Sequence, residues 1–164
     1  MNDSMARDYA RELAEYITPK WRKESFLEAV FPEIAAEALL VLPFPDEMNV
    51  ESIFRYGLLS DKLEYQINPC YSFGEPPVAL VHQEHYKIEV YFWLQGSTSI
   101  HQHSFSGAFQ VLEGSSLHSQ YGFQVIEEIN SRLRVGKLQF SSAEVLNQRD
   151  VRRIHTGKSF LHSL

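Results

Sequence analysis

The chain has 164 residues and a mass of 19.0 kDa, which is the length of one domain. Hydrophobic residues make up 44% of it and aromatic residues 13%, enough for a packed core, so the composition argues against a disordered chain. The formal net charge of −6 at pH 7 argues against binding to nucleic acid or to an anionic membrane, because both favour clustered positive charge.

The first part of the chain has the apolar spacing of helices. Residues 9–17 carry apolar side chains three and four positions apart, which predicts a helix that ends at Pro19. The same spacing over residues 25–42 predicts a second helix, which either begins at Pro32 or is kinked there.

A third short helix is predicted over residues 49–57, with Gly57 near its C-cap. The chain changes character near residue 66. We therefore assign residues 1–66 to a helical N-terminal segment that packs on the following unit, and residues 67–164 to that unit. Together they are expected to form one structural domain.

The second part of the chain has the two-residue period of strands. Residues 125–131 are compatible with either a strand or a helix. Short strands at this spacing are typical of a sandwich or a small barrel. Since the chain ends just as an alternating strand begins, we expect a barrel that lacks its last strands or has an edge covered by a partner. The predicted strands cover residues 86–94, 107–112, 117–124, 133–140 and the stretch up to His162.

The cellular location is predicted from the cysteine content and from the absence of a long apolar run. The single cysteine, Cys70, excludes an intrachain disulfide and is typical of a reducing compartment. The N-terminus is polar and acidic, and no run reaches the roughly 18 apolar residues of a membrane span. A cytoplasmic protein without membrane contact is the expectation.

Two of the seven histidines, His101 and His103, stand two residues apart in a strand-like stretch. Side chains at this spacing on a strand point to the same face, so both rings can bind one ion. Imidazole suits Fe, Zn, Cu and Ni, so the pair predicts a transition-metal site. His118 either lines the same cavity from the next strand or lies at the surface, and His82 and His85 are expected in a loop.

The residues around this pair resemble a known motif. Gly96, His101 and His103, followed by Glu113-Gly114, resemble the first motif of the cupin superfamily. Most cupins add a glutamate ligand four or five residues after the second histidine, where this chain has Gly107 and Ala108.

That departure is similar to the thiol dioxygenases of the cysteine dioxygenase type, which bind iron with three histidines and no glutamate. In many bacterial members a glycine takes the place of a crosslinked cysteine, and the corresponding residue here is Gly107. The third ligand of this family lies about fifty residues beyond the pair. His155, 52 residues after His103, is the favoured third ligand, and His162 is the alternative.

The resemblance implies a cupin-type, jelly-roll-like small β-barrel that binds Fe(2+) and oxidises a small thiol or related molecule with O2. Zn, Ni and Mn are alternative metals, because ligand identity alone does not select iron. Two other functions are left open: a cupin module that binds metal or a small molecule without oxygenase activity, and another cupin metalloenzyme such as an isomerase or a zinc hydrolase.

The sequence leaves the substrate and the residues around the metal ligands less well defined than the ligands themselves. The substrate is open, because no arginine stands between Arg55 and Arg132, where this family holds a substrate carboxylate ahead of the histidine pair. The sequence makes no prediction of catalytic residues or of oligomeric state. Candidates for the cavity wall are Gly107, Phe109 and His118, and candidates for hydrogen bonds to the ligand rings are Ser104, Ser106 and Gln110.

Overall fold

The structure is a computed structural model that describes residues 5–66, 77–93, 98–157 and 160–164. All described helices precede the strands, which confirms a mainly β protein with a helical N-terminal segment. The elements in chain order are α1 (Met5–Lys23), a 3₁₀ turn (Glu28–Val30), α2 (Phe31–Val41), α3 (Val50–Leu59), β1 (Val78–His82), β2 (Lys87–Val90), β3 (His101–Gln102), β4 (Gly107–Gln110), β5 (Ser115–Asn130), β6 (Leu133–Asn147), β7 (Val151–Ile154) and β8 (Leu161–Ser163).

Helix α1 continues one turn beyond the predicted end at Pro19, so that prediction was wrong. The last turn is held by Trp21, whose ring packs against Phe31 with 4.1 Å between centroids. The indole Nε1 also donates a hydrogen bond to the Leu27 carbonyl at 2.9 Å. These tertiary contacts offset the roughly 3 kcal/mol that a proline costs inside a helix.

Helix α2 begins at Phe31 with Pro32 in its first turn, which confirms the start predicted there. A proline is favourable at this position, because the first N–H groups of a helix have no partner within it. A short 3₁₀ turn precedes the helix, so the segment is not one continuous kinked helix.

Helix α3 begins with a capping box. The Asn49 side chain accepts from the Ser52 N–H at 2.9 Å, and the Ser52 hydroxyl accepts from the Asn49 N–H at 3.1 Å. The helix runs to Leu59. Gly57 therefore lies inside the helix, and the prediction that it lies near the C-cap was wrong. A side-chain carbon at Gly57 would lie 3.1 Å from Val78 Cγ2, so any larger residue would require Val78 to move by a few tenths of an ångström.

The described strands form three separate antiparallel sheets and do not close into a barrel. Strand β1 pairs with β2, and β4 pairs with β7. The third sheet has the order β3–β8–β5–β6. Strands β5 and β6 form a long hairpin of 16 and 15 residues, which assigns the ambiguous residues 125–131 mainly to a strand.

One hydrophobic core joins the helices to β1 and β2. The Tyr86 hydroxyl lies 2.8 Å from the Thr18 hydroxyl on α1, and Phe54 of α3 stacks on Phe92 with 4.1 Å between centroids. The helical segment therefore packs on the strands, while the boundary at residue 66 stays a prediction. Cys70 and Gly96 lie outside the described residues.

Within the part of the chain that the structure describes, no helix combines the length and the apolar character needed to cross a membrane.

Candidate metal centre

Three histidines meet on strands β3 and β8. His101 of β3 is the register partner of His162 of β8, and His103 follows β3 by one residue. One ring nitrogen from each of the three lies within 4.8 Å of those of the other two. The pairing of β3 with β8 therefore brings together residues that are about sixty positions apart.

Two of these rings are buried and neutral. His103 is 7% exposed and His162 is 1% exposed, and their Nε2 atoms lie 2.7 Å apart. Burial and, to a smaller extent, the neighbouring His101 together lower the pKa of His103 to about 4. Burial likewise lowers the pKa of His162 to about 3, with added repulsion from the neighbouring imidazoles. Both rings are therefore unprotonated at neutral pH, the state in which imidazole binds a metal.

His101 is the half-buried member of the group, and its orientation is set by the backbone. Its Nδ1 lies 2.7 Å from the Ser99 carbonyl oxygen. A carbonyl only accepts, so Nδ1 carries a proton and donates it, and Nε2 is the nitrogen on the other side of the ring. A hydrogen bond of this kind on the outer ring nitrogen is the usual way in which proteins orient a metal-binding histidine.

The three nitrogens lie within 4.8 Å of one another, and a bound metal would require their spacing to change. Metal–nitrogen bonds of about 2.0–2.1 Å in a tetrahedral site place two nitrogens about 3.3 Å apart. The 2.7 Å spacing of His103 and His162 is a hydrogen-bond distance, and a metal would replace that bond. Three neutral imidazoles are donors suited to divalent Fe, Zn or Ni.

A second layer of polar groups extends from His162. Its Nδ1 lies 3.0 Å from Nε2 of His118 on β5, and Nδ1 of His118 lies 3.2 Å from Glu144 Oε1 on β6. Arg152 of β7 donates to both Glu144 oxygens, at 2.8 and 2.6 Å. The guanidinium of Arg152, together with the His118 ring, lowers the pKa of Glu144 to about 2, so this carboxylate is ionised.

Aromatic rings lie against the histidines. Phe105 is 4.6 Å from the His103 ring and Phe160 is 4.6 Å from the His162 ring, measured between centroids. Phe109 lies edge-on to His118 at 6.2 Å, so these two cavity candidates are neighbours. A side chain at the third candidate, Gly107, would meet Phe31 of α2 at 3.8 Å.

The structure groups His162 with the pair, and the favoured third ligand His155 is not a member of that group, although the next residue, Thr156, forms a β-bridge with His103. His155 directly follows β7, which pairs with β4 in a different sheet. Its side chain is exposed, and its ring is 6.1 Å from Phe160. The alternative ligand His162 is thus the one that the geometry supports.

The other candidates have partners away from the three rings. Ser106 donates to the Glu28 carbonyl and Gln110 to the Arg149 carbonyl, while Ser104 is exposed. His85 packs on Phe26, with 4.2 Å between ring centroids. Three groups were not predicted from the sequence: the Ser99 carbonyl, which contacts His101, and Glu144 and Arg152, which are linked to His162 through His118. Only the register of β5 with β6, which pairs His118 with Glu144, could have indicated the carboxylate.

Comparisons of the chain with protein-family models, with curated proteins and with solved structures gave no match.

Proposed function

We propose that this protein is a three-histidine metalloprotein of cupin-like architecture, and that it acts as a non-haem iron oxygenase on a small thiol. The observation that supports the proposal is the meeting of His101, His103 and His162 around one point. The resemblance of residues 96–114 to the thiol dioxygenases favours iron over zinc. We also propose a cytoplasmic location, which the single cysteine of the chain supports.

Each part of the site has a separate task in this proposal. Bound Fe(2+) would supply open coordination positions for a thiolate and for O2, and would lower the pKa of the thiol. The protein keeps the buried rings of His103 and His162 neutral and orients His101 through the Ser99 carbonyl. The buried ring of Phe160 and the more exposed ring of Phe105 give the centre an apolar side.

The charges near the site bear on the substrate. The guanidinium of Arg152 is engaged by both oxygens of Glu144. It is therefore a poor anchor for a substrate carboxylate. We propose a small thiol whose binding depends on the thiolate and a neighbouring neutral or amine group.

A zinc enzyme or a module that only binds a metal is the second candidate. Three histidines with an open position are also the ligand set of catalytic zinc sites that activate water. The identity of the bound metal distinguishes a zinc enzyme from the proposed iron oxygenase. Oxygen consumption distinguishes a metal-binding module from it, since a module that only binds metal consumes no O2.

The test begins with the metal content of protein purified under anaerobic conditions. We expect about one iron per chain in the wild type and none in His101→Ala or His162→Ala. His155→Ala, which removes an exposed ring outside the group, is the matched control and should keep its metal. Protein with metal should then consume O2 with members of a panel of small thiols. Wild-type protein that binds no transition metal would falsify the proposal, and zinc content without O2 uptake would favour the second candidate.

A further inference from the structure

We infer that His118, Glu144 and Arg152 form a chain of positioning residues that fixes the tautomer of His162 and directs its Nε2 at the metal. The inference rests on the proposed function, because it concerns the same centre. It assigns a role to three residues from three strands, none of which is a ligand in the proposed site.

The direction of the hydrogen bonds follows from the carboxylate end. Glu144 is ionised and can only accept, so Nδ1 of His118 donates to it. With a single N–H, placed on Nδ1, the His118 ring accepts at Nε2. Its partner at 3.0 Å is Nδ1 of His162, which therefore donates. That leaves Nε2 of His162 with its lone pair, facing His103.

The surroundings make this arrangement stiff. The side chain of His118 is 0% exposed and His162 is 1% exposed, so water does not compete for their hydrogen bonds. His118 and Glu144 are register partners across the β5–β6 hairpin. The Glu144 side chain itself is 40% exposed, and its two bonds to Arg152 keep it turned toward His118.

The same hairpin contains a pair with similar geometry but no contact with a histidine. Arg134 donates to both oxygens of Glu128, at 2.8 and 3.1 Å. The Glu128→Gln variant therefore removes one carboxylate from a two-bond arginine pair and leaves the centre untouched. It is the matched control for Glu144→Gln.

The experiment has two readouts on the full chain. The first is the ¹⁵N NMR spectrum of the imidazoles in metal-free protein, which shows directly which nitrogen carries the proton. The second is the affinity for Zn(2+), and for Co(2+) with its visible spectrum, measured by titration. Four variants are compared with the wild type. His118→Leu removes the acceptor for His162 Nδ1, and His118→Gln offers a carbonyl that can replace it. Glu144→Gln alters the carboxylate end, and Glu128→Gln is its control.

We expect the proton of His162 on Nδ1 in the wild type, and on both nitrogens in exchange in His118→Leu. Loss of such a partner typically weakens metal binding about 10- to 100-fold, which we expect for His118→Leu. His118→Gln should recover most of the affinity, Glu144→Gln should lose up to tenfold, and Glu128→Gln should match the wild type.

Three results would overturn the inference, and one of them also overturns the proposed function. A wild-type His162 with its proton on Nε2 contradicts the assigned hydrogen-bond direction. A His118→Leu protein that folds, binds Zn(2+) as tightly as the wild type and gives the same Co(2+) spectrum shows that the chain has no positioning role, while the metal site stands. Wild-type protein that binds neither metal removes both proposals.

Discussion

Acid should destabilise the metal-free protein well above the pH at which its carboxylates titrate. His103 and His162 are buried, and their folded pKa values of about 4 and about 3 lie below the ordinary value of 6.5. A base whose pKa is lowered by folding binds its proton more tightly in the unfolded chain. Above pH 6.5 the imidazole is neutral in both states, so its titration does not reduce the free energy of unfolding. Below that pH the unfolded chain binds the proton and the folded protein does not, so stability is lost as the pH falls.

The size of the loss follows from the same values. At pH 5 both imidazoles are almost fully protonated in the unfolded chain but neutral in the folded protein. Each then lowers the free energy of unfolding by about 2 kcal/mol relative to pH 7, so the two together contribute about 4 kcal/mol. Glu144 does not obscure this loss of stability. Its pKa is lowered from 4.5 to about 2, so its own effect on the free energy of unfolding changes with pH mainly below pH 4.5. A loss of this size is large beside the roughly 5–15 kcal/mol of total stability that is usual for a domain.

Urea unfolding of chelator-treated protein at pH 7 and pH 5, followed by tryptophan fluorescence and circular dichroism, measures this difference. His162→Asn should remove about half of the pH dependence, because an amide does not titrate. His155→Asn, whose ring is exposed and outside the group, should keep the wild-type dependence. Unfolding free energies at the two pH values that agree within about 1 kcal/mol would refute the burial argument.

Two further predictions concern the helices, and both are measured by urea unfolding at pH 7. Gly57→Ala should destabilise the protein, despite the roughly 1 kcal/mol gain in helix propensity, because the new carbon would lie 3.1 Å from Val78 Cγ2. Val78→Ala in the same chain should reverse the sign of that effect, and equal effects of Gly57→Ala in both backgrounds would exclude the contact. Asn49→Ala should cost about 1 kcal/mol through loss of the cap on α3. Asn49→Asp should retain that stability, and an alanine variant as stable as the wild type would show that the cap contributes nothing.

The sequence predicted the helices and the histidine pair because both depend on short spacings. Apolar residues three and four apart identify a helix face, and a two-residue spacing identifies a strand face. The end of α1 was missed because Trp21 is held by Phe31, ten residues further on, and a local proline rule cannot include that contact.

The third histidine depends on strand pairing that local spacing does not encode. His155 has the expected distance from His103 along the chain, but β7 pairs with β4 in another sheet. His162 lies on β8, which pairs with β3 on one side and β5 on the other. The contact between His118 and Glu144 similarly depends on the register of a long hairpin with several irregularities. Such partners become visible only when the sheet order is known.

The position of β8 also has a consequence for the order of folding. The β5–β6 hairpin joins neighbouring segments, so its contacts can form early and locally. Strand β8 has only three residues and lies between β3 and β5, so it gains most of its contacts from segments far away in the chain. Loop-closure entropy makes such pairing slow, and we expect β8 to join the sheet late. Because β8 carries His162, the three rings would meet only at that step, and a metal would bind the nearly completed fold rather than an early intermediate.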